Sequence, residues 1–422
     1  MYNKTMMKTW KRLLAGLMVI LVVVLGTPKV SANGFTDLND LAAVLESDFV
    51  YVVDFDNGQV LTEKNGYEKM YPASMTKLMT VLLAIEHFSD WDEMIKITPE
   101  AVENLGDATV IGYWPDDTQS VRDLIYASMM VSAADATNAL GIAVSGSVPA
   151  FVEAMNAKAK ELGMDHTHFM NTSGMHDENH YSTCEDIAKL LKACTENEDY
   201  RTVMDREEYT ISGCYPYPDG YELESSAWYY ADEYSIPGFR GGKAGYTGMA
   251  GHCLASWEVF GGMNLGIIVA HADTDYYEPT HYEETAYIAR YLYERYARTE
   301  IDVSHVDFGT VRVHRLLTND EVPIVDKGTF IVDAPKDREL SFGKVNFKEG
   351  VTAAMVERTV KGTVGAYDGE SLVYETEVSV IIPAEKNPVV GFFAPIGGMA
   401  TAGIVFLALI WGLMSLWQRR KS

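Results

Sequence analysis

The sequence contains one short run whose residue types and spacing could do covalent chemistry, Ser74-Met75-Thr76-Lys77. Residues three apart on a helix share a face, so a helix starting here brings the Lys77 amine within reach of the Ser74 hydroxyl. Helix-start amides can also stabilise developing negative charge. A serine hydroxyl attacks as a nucleophile only with a base beside it. Lysine can be that base once burial or a second cation lowers its pKa toward neutrality. Taken alone, a serine and a lysine at this spacing also describe an ordinary solvated helix start.

The surrounding elements must hold this pair. Phe49 to Phe55 alternates as a strand, Asp56-Asn57-Gly58 is a tight-turn signal, and Gln59 to Glu63 returns as a second strand. Tyr71-Pro72-Ala73-Ser74 precedes an apolar-periodic run through Leu78, Leu82, Leu83 and Ile85, which predicts a helix from Ser74 to about Phe88. Further helices are expected at 121–130, 135–143, 152–162 and 184–195, with 131–134 as a turn. Strands are expected at 243–245, 253–259 and 265–271, the last two joined at Gly261-Gly262. A helix over 282–297 follows, and then strands alone from about 301 to 382. The change from mixed elements to strands marks a domain boundary near residue 300.

Several segments in the same order carry a family resemblance: YPASMTKLMT at 71–80, VRDLIYASMMVSAADATNAL at 121–140, FMNTSGMHDENHYSTCEDIAKL at 169–190 and GGKAGYTGMAG at 241–251. Over roughly 35 to 300 the chain resembles the low-molecular-mass penicillin-binding proteins, the D-alanyl-D-alanine carboxypeptidases of the S11 serine peptidase type. Ser-x-x-Lys, Ser-Asp-Asn and Lys-Thr-Gly are the motif set of such acyl-serine enzymes. The resemblance implies an α+β fold: a penicillin-binding/β-lactamase-like serine transpeptidase domain, with a central antiparallel sheet and helices, followed by a small all-β domain.

It also implies roles. Ser74 would be the acylated nucleophile and Lys77 its general base. Ser132 would relay protons to the leaving amine, and Lys243 would attract the substrate carboxylate. Backbone N–H groups of Ser74 and Tyr246 would form the oxyanion hole, with Gly245 allowing close approach of its strand. The substrate would be a peptidoglycan stem peptide ending in D-Ala-D-Ala, β-lactams would be inhibitors, and neither metal nor cofactor is called for. Two positions depart from the pattern. Ala134 stands where the second motif has asparagine, and Ala244 where the third has threonine or serine. The departures leave a second reading, a catalytically impaired relative acting as a cell-wall binding or scaffold protein. A penicillin-hydrolysing enzyme would need a deacylating base that the sequence does not display. Asn138 and Thr247 lie near the two gaps, Asn138 on the following helix.

Charge and hydropathy give the setting. The 422 residues carry 34 Lys+Arg against 60 Asp+Glu, a net charge of −26. The charges are unevenly placed: residues 1–32 hold five basic residues and no acid, Arg419, Arg420 and Lys421 close the chain, and 33–418 carries −34. So acidic a surface repels phosphate backbones and excludes nucleic acid as a partner. Residues 1–32 read as a signal peptide: a basic start, an apolar run from Leu13 to Leu25, then Val30-Ser31-Ala32, cleaved after Ala32 or retained as an anchor. Ile396 to Trp417 is uncharged and long enough to cross a bilayer, with a positive flank at 418–422. The expected order is a signal peptide at 1–32, the carboxypeptidase-like domain at 33–300, a β-rich domain at 301–385, a linker at 386–395, a transmembrane helix at 396–417 and a cytoplasmic tail. That arrangement places the protein in a bacterial cell membrane with its catalytic domain outside. The exported cysteines Cys184, Cys194, Cys214 and Cys253 allow two disulfides in three connectivities, or free thiols, and their spacing does not choose. His166 with His168 reads as a loop pair rather than a metal site, and a metal reading of Asp273 and Asp275 is weaker still. The aromatic-rich stretch 214–234 reads equally as a substrate-facing loop or as packing at a sheet edge.

Overall fold

The computed structural model describes residues 36–272, 279–302, 310–314, 319–323, 329–343, 346 and 358–382. The expected signal peptide, linker, transmembrane helix and tail lie outside these residues, as do Asp273 and Asp275.

The first elements are α1 (Thr36–Ala43), β1 (Phe49–Asp54) and β2 (Val60–Lys64). After a 3₁₀ turn at Ala73–Thr76 come α2 (Lys77–His87), β3 (Met94–Lys96), α3 (Pro99–Val102), β4 (Thr118–Ser120), α4 (Val121–Met130), α5 (Ala134–Ser145) and α6 (Val148–Glu161). The chain continues through α7 (Cys184–Glu196), α8 (Glu198–Met204), β5 (Glu208–Ile211), β6 (Tyr221–Glu224), α9 (Ser226–Glu233), β7 (Phe239–Thr247), β8 (Gly251–Phe260), β9 (Met263–Ala270) and α10 (Thr280–Arg295). Every described regular element after α10 is a strand, from β10 (Tyr296–Asp302) and β11 (Thr310–His314) through β12 (Asn319–Pro323), β13 (Thr329–Pro335), β14 (Ser341–Phe342) and β15 (Arg358–Asp368) to β16 (Ser371–Ile382).

The organising layer is a five-stranded antiparallel sheet in the order β2-β1-β9-β8-β7. Side chains alternate across a strand, so one strand feeds two cores. On β8, Cys253 and Ala255 enter a core shared with α2, α4, α5 and α7, while Leu254 and Phe260 enter a second core with α1 and α10. On β9, Ile268 and Ala270 go to the first core and Leu265, Ile267 and Val269 to the second. The helix starts are capped as their sequences suggest: Ser120 Oγ accepts from Asp123 N, Thr183 Oγ1 from Asp186 N, and Ser147 Oγ from Ala150 N.

Three boundaries differ from expectation. The helix expected from Ser74 opens as a single 3₁₀ turn and becomes α-helical only at Lys77. Two neighbouring segments press against the backbone there, as described below. The turn expected at 131–134 ends one residue early, because Ala134 already begins α5. The helix expected to reach residue 297 stops at Arg295, where Tyr296 turns extended to pair with Pro335. The short helices α1, α3, α8 and α9 carried too few periodic positions to be foreseen.

Strand β13 is sewn to the β1–β2 hairpin by polar groups. The Arg298 guanidinium on β10 bridges Asp54 and Asp56 and lies 3.4 Å from Asp333. Asn57 donates to Asp333 Oδ2 at 3.1 Å, and the Gln59 amide pairs with the Asp333 backbone in both directions, at 2.9 and 2.8 Å. Asp54 and Asp333 are fully buried. Burial and the nearby Asp54 carboxylate raise the pKa of Asp333, and the surrounding carboxylates raise that of Arg298 against the effect of burial. Removing the cation from such a cluster leaves buried carboxylates uncompensated. Arg298→Leu is therefore expected to lower stability by about 3 to 5 kcal/mol, read from urea unfolding. A loss below about 1 kcal/mol would show that Arg298 acts as a surface ion pair instead.

Candidate active site

Ser74 sits in the 3₁₀ turn with its backbone gripped from two sides. A Cβ on Gly245 of β7 would stand 2.5 Å from Ser74 N and 3.0 Å from Ala73 Cβ. A Cβ on Gly174 would stand 1.8 Å from the Ala73 carbonyl oxygen. Only glycine fits either position, so the strand and the 171–174 segment both approach the serine's own peptide unit directly. Ala73 is driven to φ +45°, a left-handed conformation that a non-glycine residue adopts only when its surroundings enforce it.

In a 3₁₀ turn residues i and i+3 eclipse. Lys77 Nζ accordingly lies 2.9 Å from Ser74 Oγ. The amine is 2 % exposed and donates to the Ser173 carbonyl at 2.6 Å. Burial, with the charge of Lys243 added to it, holds the Lys77 pKa well below the ordinary lysine range. A neutral amine offers a lone pair to the Ser74 hydroxyl while one N–H stays on Ser173. That is the arrangement needed to take the proton of an attacking serine.

Lys243, also 2 % exposed, is pushed down to about 7 by burial, and its amine donates to the Ala244 carbonyl at 2.9 Å. Strand alternation separates the third-motif residues. Gly245 faces Ser74, whereas the Ala244 side chain packs against the second core on the other face. The Tyr246 ring lies 4.6 Å from that of His252. Ser132, in the turn between α4 and α5, has φ +64°, and among the described residues its buried Oγ has no hydrogen-bond partner. Ala134 is fully buried and its N–H donates to Thr109 O at 2.8 Å.

Neither nearby polar residue fills the gaps left by the two alanines. Asn138 accepts from Thr172 Oγ1 at 2.6 Å and donates to Ala101 O at 3.3 Å, which makes it a structural residue of α5. Thr247 Oγ1 accepts from Ala250 N in the β7–β8 turn. Cys184, Cys194, Cys214 and Cys253 are all buried free thiols, which resolves the alternatives left open by their spacing. Cys253 pairs in register with Gly245, and burial raises its thiol to about 12, so it offers no competing nucleophile. His168 bonds the Asn179 carbonyl, and His166 N donates to Asp186. The aromatic stretch divides: Trp228 packs on Phe239 and Tyr230 on Tyr282, while Tyr215 is exposed beside Trp114.

The 171–180 segment supplies residues the motif reading did not single out. Asn171 Oδ1 accepts from Ser173 N and Gly174 N, folding the chain so that the Ser173 carbonyl meets Lys77. Thr172 O accepts from Thr80 Oγ1 on α2, and Thr172 Oγ1 lies 3.0 Å from Thr137 Oγ1 on α5. His180 Nδ1 accepts from Met170 N, which leaves its Nε2 proton for Thr76 Oγ1 at 2.8 Å. Burial lowers its pKa to about 4 and keeps the ring neutral. The sequence signal for this segment is Asn171 three residues before Gly174, an Asx-turn pattern.

The sequence profile described as D-alanyl-D-alanine carboxypeptidase matches residues 39–274. The chain is 30 % identical over 272 residues to D-alanyl-D-alanine carboxypeptidase DacF of Bacillus subtilis (strain 168), spanning 63 % of this chain and 67 % of that protein. It is 30 % identical over 234 residues to DacC of Escherichia coli (strain K12), spanning 53 % of this chain and 56 % of that protein. The fold matches penicillin binding protein 5 from Haemophilus influenzae with a TM-score of 0.64 at 21 % identity, covering 81 % of this chain and 98 % of that one. It also matches a peptidoglycan synthesis regulatory factor (PBP3) from Streptococcus pneumoniae with a TM-score of 0.58 at 19 % identity, covering 81 % and 99 %.

Lys243 links this geometry to stability. Its pKa is about 7 in the folded chain and about 10.4 in the unfolded one. Between these values only the unfolded chain holds the proton, so this residue's contribution to stability rises with pH across that window, and below about 7 its burial cost is felt in full. Lys243→Met should therefore be more stable than the parent at pH 6, with the difference shrinking by pH 10. Parallel urea unfolding curves at the two pH values would check this, and a pH-independent difference would contradict it.

Proposed function

The chain belongs to the S11 family of D-alanyl-D-alanine carboxypeptidases, and on that premise we propose that it hydrolyses the terminal D-alanyl-D-alanine bond of peptidoglycan stem peptides through an acyl-enzyme on Ser74. The observation that carries this reading is the buried, deprotonation-prone Lys77 amine 2.9 Å from Ser74 Oγ. Lys77 takes the serine proton as Ser74 Oγ bonds to the scissile carbonyl carbon. The N–H groups of Ser74 and Tyr246 stabilise the oxyanion. Collapse of the tetrahedral adduct expels D-alanine, whose amine receives a proton relayed through Ser132. Lys243, protonated, pairs with the substrate's terminal carboxylate, and Gly245 keeps its strand close to Ser74. Water then attacks the acyl-Ser74 ester, with Lys77 again accepting the proton. Penicillins, which present a strained amide to the same serine, are expected to acylate it.

Ala134 and Ala244 weaken this machinery without removing it. Each missing hydrogen bond costs about 1 to 3 kcal/mol where its partner stays buried, or roughly 5- to 150-fold in rate or affinity. Residues 301–385 are proposed to form the small β domain, supported by the strands β10–β16. The apolar run 396–417, the basic tail and the leader at 1–32 support export and a single C-terminal anchor in a bacterial cell membrane, with 386–395 as the linker.

Fluorescent penicillin should label the full chain and fail to label Ser74→Ala, and the parent should release D-alanine from a stem peptide. Labelling without release would favour a wall-binding relative that has shed turnover. In that case Ala134→Asn should restore release, whereas Ala244→Thr, whose side chain would meet the second core, should add little. No labelling of folded protein would sink the enzyme reading. In pH profiles, kcat/KM should fall above about pH 7 as Lys243 loses its proton. Lys243→Arg, which stays charged, should move that limb up by more than about one pH unit.

A further inference from the structure

The turn that carries Ser132 draws no hydrogen bond from its own side chains among the described residues. Ser132 is a non-glycine residue at φ +64°, a left-handed conformation that persists only where the surroundings fix it. Its Oγ makes no hydrogen bond among the described residues, Ala133 at the N-cap of α5 supplies no side-chain cap, and Ala134 has no amide to reach into the site. Something else must hold the backbone in place.

The next residue does so. Asp135 is 1 % exposed, and its carboxylate accepts four backbone N–H groups. Oδ1 takes those of Ile111 at 3.1 Å and Ala136 at 2.9 Å, and Oδ2 takes those of Gly112 at 2.8 Å and Tyr113 at 3.2 Å. The same loop accepts the Ala134 N–H through Thr109 O at 2.8 Å, while Ala133 N donates back to Ala127 O on α4. The Ser132 turn is thus clipped between α4 and residues 109–113. The loop also runs past the lysine-binding segment, since a Cβ on Gly106 would meet Met175 Cε at 3.3 Å. Three N–H groups outside α5 would lose their acceptor if the carboxylate were removed, and nothing on Ala133 or Ala134 would take over the hold.

We propose that Asp135 is a positioning residue for Ser132, holding the 109–113 loop against the turn so that the serine backbone keeps the one conformation from which its hydroxyl serves the relay. This rests on the proposed role of Ser132 as proton relay, and the test separates the two. The second-order rate of acylation by fluorescent penicillin is measured for the full chain as parent, Asp135→Asn, Ser132→Ala and the double variant, with a thermal unfolding curve for each. Asp135→Asn is expected to slow acylation by about ten-fold in the parent but by less than about two-fold in the Ser132→Ala background. Equal fold-losses in both backgrounds would overturn the proposal, because Asp135 would then be holding the fold and not the serine. So would an Asp135→Asn rate equal to the parent's. Unchanged acylation in Ser132→Ala alone would instead overturn the relay reading on which the proposal stands. Should Asp135→Asn fail to fold, Asp135→Glu, which keeps the charge and moves the oxygens by one methylene, is put through the same cycle with the same expectation.

Discussion

The chemistry proposed for this chain depends on keeping one lysine amine out of water. A lysine in solvent is protonated at neutral pH and cannot accept a proton from serine. The Lys77 pKa is held well below that of a solvated lysine by burial in α2 and then by the charge of Lys243, and its partner, the Ser173 carbonyl, is a neutral acceptor that does not hold a cation as a carboxylate would. An aspartate or glutamate in place of that carbonyl would restore the proton. The carbonyl itself is aimed by the Asn171 turn, and the turn is braced by Thr172 against α2 and α5.

The same packing that excludes water fixes the backbone of Ser74, the proposed nucleophile. Gly174 and Gly245 come from segments about seventy residues apart in sequence, and they close on one peptide unit from opposite sides. Ala73 pays for this in backbone strain, and the gain is a Ser74 backbone amide held between two segments. Such preorganisation matters because a donor or base contributes most when it need not reorganise as charge develops. The two alanines of the motifs sit beside a Ser132 hydroxyl that has no partner among the described residues and on the far face of β7.

Much of the scaffold was legible. The Asp56-Asn57-Gly58 turn, the capped helices α4 and α7, and the paired strands β8 and β9 are local patterns whose cause lies within a few residues, and they form at the expected places. The short helices and the 3₁₀ start were not legible, because a helix of one or two turns carries too little periodicity, and because the 3₁₀ turn answers to glycines far away in sequence. Asn171, Ser173 and His180 lie within a stretch that carries the family resemblance, yet their individual tasks become visible only once Lys77 and Thr76 are found against them. Asp135 is similar, an ordinary helix-start acid by sequence and a four-fold acceptor in space.

The sequence alone determined what spacing can encode: that Ser74 and Lys77 share a face, that residues 243–245 run as a strand, and that bases gather at the ends while acids fill the middle. Only the tertiary structure decided the protonation-shaping burial of both lysines, the backbone grip on Ser74, the free state of all four cysteines and the hold on the Ser132 turn. The reason is range. Side-chain spacing follows from a repeat of two or of three to four residues, whereas desolvation and close backbone approach come from segments tens to hundreds of residues apart that meet only when the whole core is packed.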